Sequence, residues 1–154
     1  MAFLFVELCR IYTTFVESAL VLSKNTNYGR KGAIIVLKYF QEVITMKKTS
    51  IELCRLGICP NYVGYQEMHL AIQLALEDPT RLTALVQEVY MPVGEATGRN
   101  WTAVERNLRT VVRRAWKANP GLLTEIAGRP LERGPGTGDF LGMMWVYLTD
   151  GDAV

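Results

Sequence analysis

Apolar residues recur at helical spacing through most of the chain, and the pattern is sharpest between Gly98 and Lys117. Val104, Leu108, Val111 and Ala115 fall on one face, with Trp101 and Val112 beside them. At roughly 100° per residue, Thr102, Arg106, Arg109, Arg113 and Lys117 share the opposite face, and Arg99 lies in line before it. Within this stretch six residues are Lys or Arg and only Glu105 is acidic. Just upstream, Met91–Gly98 reads as a very short helix with a proline start and a glycine stop. Before that, Asp78-Pro79-Thr80 opens a helix in which Leu82, Leu85, Val86 and Val89 keep helical period. The order is helix, short helix, glycine turn, long basic helix. Gly94 falls where two helices of a helix-turn-helix cross closely, and Gly98 where the turn needs a positive φ. Such a unit sends the N-terminal turns of its second helix into the major groove of DNA.

The remaining elements are also helical in period. Ser50–Leu56 predicts a short helix ending at Gly57, and Gln66–Glu77 a longer one with Met68, Ala71, Ile72, Ala75 and Leu76 as its stripe. Asn119-Pro120-Gly121 stops the basic helix, Leu122–Ala127 fits a short helix, and Asp139–Leu148 a last one. The Gly134-Pro135-Gly136-Thr137-Gly138 loop between them has no Gly-Lys-Ser/Thr ending and no preceding strand, so it is not read as a phosphate cradle. Nothing reads as a strand. The expectation is an all-α domain of about six helices containing a helix-turn-helix, a winged-helix/HTH-type effector domain without strands.

Composition changes the picture in its distribution. The net charge is only +2 over 154 residues, and from Met46 onward 12 basic residues balance 12 acidic ones. The basic helix is therefore a directed patch in a neutral domain. Cys9, Cys54 and Cys59 contain no C-x-x-C pair, which fits a reducing cytoplasm. With His69, the single histidine, they match no common zinc spacing, so no metal or cofactor is expected. With no paired carboxylates at a spacing suited to acid–base work, no enzymatic reaction suggests itself.

Residues 2–23 are apolar, but Glu7, Arg10 and Glu17 make a membrane span costly, and no membrane partner is expected. Leu4, Leu8, Ile11, Phe15, Ala19 and Leu22 fit an amphipathic helix, followed by a polar break over 25–32 and a second helix from Ala33 to about Thr45. Gln41–Met46 can be written CAG GAG GTG ATC ACC ATG, which contains a purine-rich ribosome-binding site spaced before a start codon. Residues 1–45 thus read as an apolar extension upstream of a start at Met46, with the domain over 46–150.

From about Thr49 to Thr149 the chain resembles the C-terminal DNA-binding (effector) domain of stage-zero sporulation protein A, the sporulation response regulator of spore-forming Firmicutes. The resemblance is carried by Leu56-Gly57-Ile58, Gly64-Tyr65, Ala71-Ile72 and Leu85 through Tyr90-Met91-Pro92. To these are added Val104-Glu105-Arg106 running on to Ala115-Trp116, and Thr137–Leu141 at the start of the last helix. It implies sequence-specific binding to a short double-stranded DNA box and transcription regulation, with a homodimer on tandem sites and RNA polymerase as further partners. Two departures matter. The receiver domain of that family has no counterpart here, so phosphorylation-driven dimerisation is not carried over. Where the family usually has Ser-Arg-Val-Glu-Arg, this chain has Thr102-Ala103-Val104-Glu105-Arg106 and lacks the arginine at 103.

On this reading Arg106 reaches a guanine edge through a forked pair, and Glu105 accepts from a cytosine amino group. Glu105 has a competing local role, because Thr102-Ala103-Val104-Glu105 fits a capping box with Thr102 as N-cap. Arg99, Asn100, Arg109 and Arg113 position the protein on phosphates, while Arg114 and Lys117 are solvated. The alternative is a protein-interaction module, or an inactive paralogue that modulates a full-length regulator; the missing arginine at 103 favours it.

The intact mass of the protein made from its own gene is expected to match a chain that begins at Met46. A mass that includes residues 1–45, or codons CAA GAA at 41 and 42, removes the start-site expectation.

Overall fold

The computed structural model describes residues 29–150. The chain divides into two compact units, Met1–Thr45 and Met46–Val154. Six α-helices are present among the described residues, and no strand: α1 (Gly29–Arg55), α2 (Tyr65–Glu77), α3 (Met91–Thr97), α4 (Trp101–Ala118), α5 (Pro120–Ala127) and α6 (Thr137–Asp150). The all-α class is as expected. The amphipathic helix expected over 2–23 lies outside the described residues.

Two features differ from expectation. α1 begins at Gly29, inside the expected polar break, and runs unbroken through 46–49, where the pattern separates two helices. Met46-Lys47-Lys48-Thr49 contains neither glycine nor proline. The flanking hydroxyls of Thr45 and Ser50 bond back to the carbonyls of Gln41 and Met46, at 2.9 and 3.0 Å, which leaves the helix intact.

The second difference is in pitch. The expected helix after Asp78 is a 3-10 helix over Pro79–Ala84 followed by a wide π turn over Val86–Tyr90. Pro92 lacks the N–H that would return to the Glu88 carbonyl. Arg81 Nη1 approaches that carbonyl at 3.4 Å and supplies a donor instead. The widened turn thus accommodates a proline that periodicity alone does not place.

The core of the Met46–Val154 unit gathers Leu53, Leu56, Met68, Ile72, Leu108, Leu123, Phe140 and Met144, all fully buried. α2 is central and touches the 3-10 helix, α3, α4 and α6. α4 buries Val104, Leu108, Val111, Val112 and Ala115, the face its period predicts. Trp101, expected beside that face, is 38% exposed.

The joint between α3 and α4 is tight. Gly98 closes α3 in the left-handed region at φ 68°, with its N–H on the Gly94 carbonyl. The Arg99 N–H bonds the same carbonyl at 2.8 Å. A Cβ built on Gly94 would lie 2.5 Å from the Arg99 carbonyl oxygen, so no side chain fits there. Gly94→Ala is therefore expected to cost about 1–3 kcal/mol by overpacking, and Gly98→Ala about 1 kcal/mol from its backbone conformation. Urea denaturation followed by circular dichroism checks the order; a Gly94→Ala protein as stable as wild type contradicts the tight joint.

Candidate nucleic-acid interface

The face forms at the N-terminus of α4. Asn100 has extended backbone, and its side chain accepts the Thr102 N–H at 3.2 Å, so Asn100 is the N-cap. The expectation of Thr102 in that role is corrected. Thr102 is the second residue of the helix, and its hydroxyl sits 3.3 Å from Asn100 Oδ1. Glu105 does not return to it. With Asn100 as the N-cap, Glu105 lies beyond the third helical position from which a carboxylate reaches back to the N-cap backbone N–H, and it pairs with Arg109 one turn on.

Thr102, Arg106, Arg109, Arg113 and Lys117 are all exposed along one side of α4. Their electrostatic states differ. Arg109 is held by Glu105, and Arg99 by Glu67, with Arg99 Nε 3.1 Å from Glu67 Oε1. Among the described residues Arg106, Arg113 and Lys117 make no ion pair. Burial first, and then the Glu105 carboxylate, hold the Tyr90 phenol above its ordinary pKa, so this buried side chain under the face stays neutral.

Arg114, expected to be solvated, is structural. Its Nε donates to the Gly57 carbonyl at 3.0 Å, and its guanidinium lies 4.5 Å over the Tyr62 ring, fastening α4 to the 57–62 loop. Its angular position near the buried face brings this loop within reach.

One contributor gives little sign of itself along the chain. Glu67, 3% exposed in the first turn of α2, takes Arg99 and also the Asn107 side-chain amide at 3.2 Å on the same oxygen. Its Oε2 is buried and has no hydrogen-bond partner. Glu67 thereby joins α2 to both the turn and the middle of α4. The signal for it is an acid four residues before Ala71, on the apolar side of the helix.

Elsewhere, His69 Nε2 lies 3.2 Å from the Ser50 hydroxyl, and its ring packs near Tyr65. Cys54 and Cys59 are partly buried free thiols, and burial followed by the Cys59 neighbour raises the Cys54 thiol pKa. No cluster of potential metal ligands occurs among the described residues. No helix among them is long and apolar enough to cross a membrane.

A glycine-closed joint that presents an exposed cationic second helix defines a helix-turn-helix domain. Over residues 49–147 the chain matches the family described as sporulation initiation factor Spo0A C terminal. This spans more than half of its length, and the chain belongs to that family of DNA-binding effector domains, which is not a family of enzymes. Searches of curated proteins and of solved structures returned no significant match.

Because Glu67 is buried and Arg99 half exposed, the two partners are not equivalent. Arg99→Ala strands a buried carboxylate and is expected to cost about 2–3 kcal/mol. Glu67→Gln leaves an arginine that can turn to water and is expected to cost about 1 kcal/mol. Thermal denaturation of both variants and of the double variant tests this: Arg99→Ala alone should be the least stable. A double variant less stable than Arg99→Ala contradicts the ion-pair account.

Proposed function

We propose that the Met46–Val154 unit binds duplex DNA sequence-specifically through α4 and regulates transcription in the cytoplasm, as a sporulation-type effector domain. The observation that carries this is Arg106, exposed one turn into α4 and without an ion-pair partner among the described residues. A guanidinium so placed suits the forked pair to guanine O6 and N7. Arg113, two turns further along and equally unpaired, suits a phosphate at the groove edge. Thr102 and Asn100, at the helix entrance, suit contacts on either side of the leading turn.

Glu105 and Arg109 act as a unit in this reading. Their pairing sets the carboxylate on that side of α4 in the free protein, and on DNA Arg109 turns to the backbone and leaves Glu105 to face a cytosine amino group. Arg99, tethered by Glu67, contributes a positioned charge at the turn. RNA polymerase and a second copy on an adjacent box are the partners that follow.

A second reading rests on Ala103, half-buried where the family usually has arginine. In it the same helix engages an acidic protein partner, or the chain titrates a full-length regulator. A gel shift with a family-type box against scrambled duplex, at two salt concentrations, separates the readings; equal weak binding to both favours the second.

Arg106→Ala is expected to cost about 1–3 kcal/mol on the selected sequence and to relax one base position. Arg113→Ala should weaken selected and random duplexes alike and lower the salt slope by about 1. Anisotropy titrations measure both, and identical behaviour of the two variants on both duplexes contradicts these roles.

A further inference from the structure

A cleft of about 1050 Å³ runs between the C-terminal half of α4 and the loop that joins α5 to α6. Arg113 and Lys117 stand on the helix wall, and Arg129 and Arg133 on the loop wall. All four are exposed, and none makes an ion pair among the described residues. Glu132 and Asp139 also line the cleft, so cations outnumber acids, with Arg109 at the near end. Trp116, Val112 and Leu131 add apolar lining, and the loop is seated closely on the helix. A Cβ built on Gly134 would lie 3.2 Å from the Trp116 ring.

We propose that this cleft grips one sugar–phosphate strand of the DNA beside the groove that α4 enters. The inference rests on the DNA reading above and extends the footprint beyond the bases that reading assigns. Distance along α4 gives the reason. From Arg106 to Lys117 the helix rises about 16 Å, whereas the major groove is about 12 Å wide. With Arg106 at base edges, the end of α4 has passed the groove's rim, where a phosphate strand runs. A strand there meets cations on both walls, which neutralise successive phosphates, while the apolar lining takes the faces of the deoxyriboses. This explains why a loop rich in glycine and proline carries two unpaired arginines facing the basic helix. It also gives Lys117 a role that a solvated residue lacks.

The test uses the full chain and two duplexes centred on the sequence it selects from a random library. One duplex ends at the selected box, and the other continues several base pairs on each side. Wild type is expected to bind the longer duplex roughly tenfold more tightly, and an Arg129→Ala/Arg133→Ala variant to lose that advantage. The variant's salt slope on the longer duplex should fall by about 2, one for each phosphate contact removed. Binding to the short duplex should be unchanged, which a general loss of positive charge would not produce. A variant that keeps the full advantage for the longer duplex overturns the cleft assignment and leaves the DNA reading standing. Wild type that shows no preference for any box over scrambled DNA overturns both.

Discussion

The rest of the interface depends on how closely α4 approaches α3. The Gly94 carbonyl receives the N–H groups of both Gly98 and Arg99, and its α-carbon lies against the Arg99 carbonyl with no space for a methyl group. Reversal in so few residues fixes the direction in which α4 leaves the body of the domain. Direction matters because the exposed charges of α4 lie along one side. A change in exit angle would turn Arg106 and Arg113 away together. The Glu67–Arg99 pair reinforces the same joint from α2, and Asn107 extends that hold to the second turn of α4.

The charges on α4 divide into those spent on the fold and those left over. Arg114 packs on Tyr62 and bonds the Gly57 carbonyl, so it anchors the helix. Arg99 and Arg109 have carboxylate partners within the chain. Arg106, Arg113 and Lys117 have no ion-pair partner among the described residues. Exposed ion pairs contribute little stability in water, so Arg109 can leave Glu105 at small cost. Exchange is harder for Arg99, whose partner is buried and would be left charged inside the domain. The helix thus carries a graded set of cations, with Arg106, Arg113 and Lys117 the least encumbered.

Much of this is legible in the order of residues alone. The buried face of α4 follows from spacing, because a helix with its cations crowded along one side has only one way to pack. Gly94 and Gly98 are identifiable from the need for close approach and positive φ. Features that depend on a distant or competing partner are not legible. The wide turn before Pro92 is accompanied by Arg81 reaching the Glu88 carbonyl, and α4 is capped by Asn100, ahead of the expected Thr102, which leaves Glu105 to pair with Arg109. Arg114 is misjudged for the same reason, since Tyr62 and Gly57 lie more than fifty residues away in the chain. Glu67 signals itself only as an acid on an oily face, and its partner cannot be named until α2 and α4 are set side by side.

The central claim is that the leading turns of α4 lie in the major groove with Arg106 against a guanine. Replacing guanines of the selected duplex one at a time with 7-deazaguanine removes the N7 acceptor from the major groove alone, and inosine removes only the minor-groove amino group. Binding is expected to weaken at one deaza position, to lose that sensitivity in Arg106→Ala, and to tolerate inosine throughout. Sensitivity to inosine with indifference to every deaza substitution would place the protein in the other groove and contradict the account.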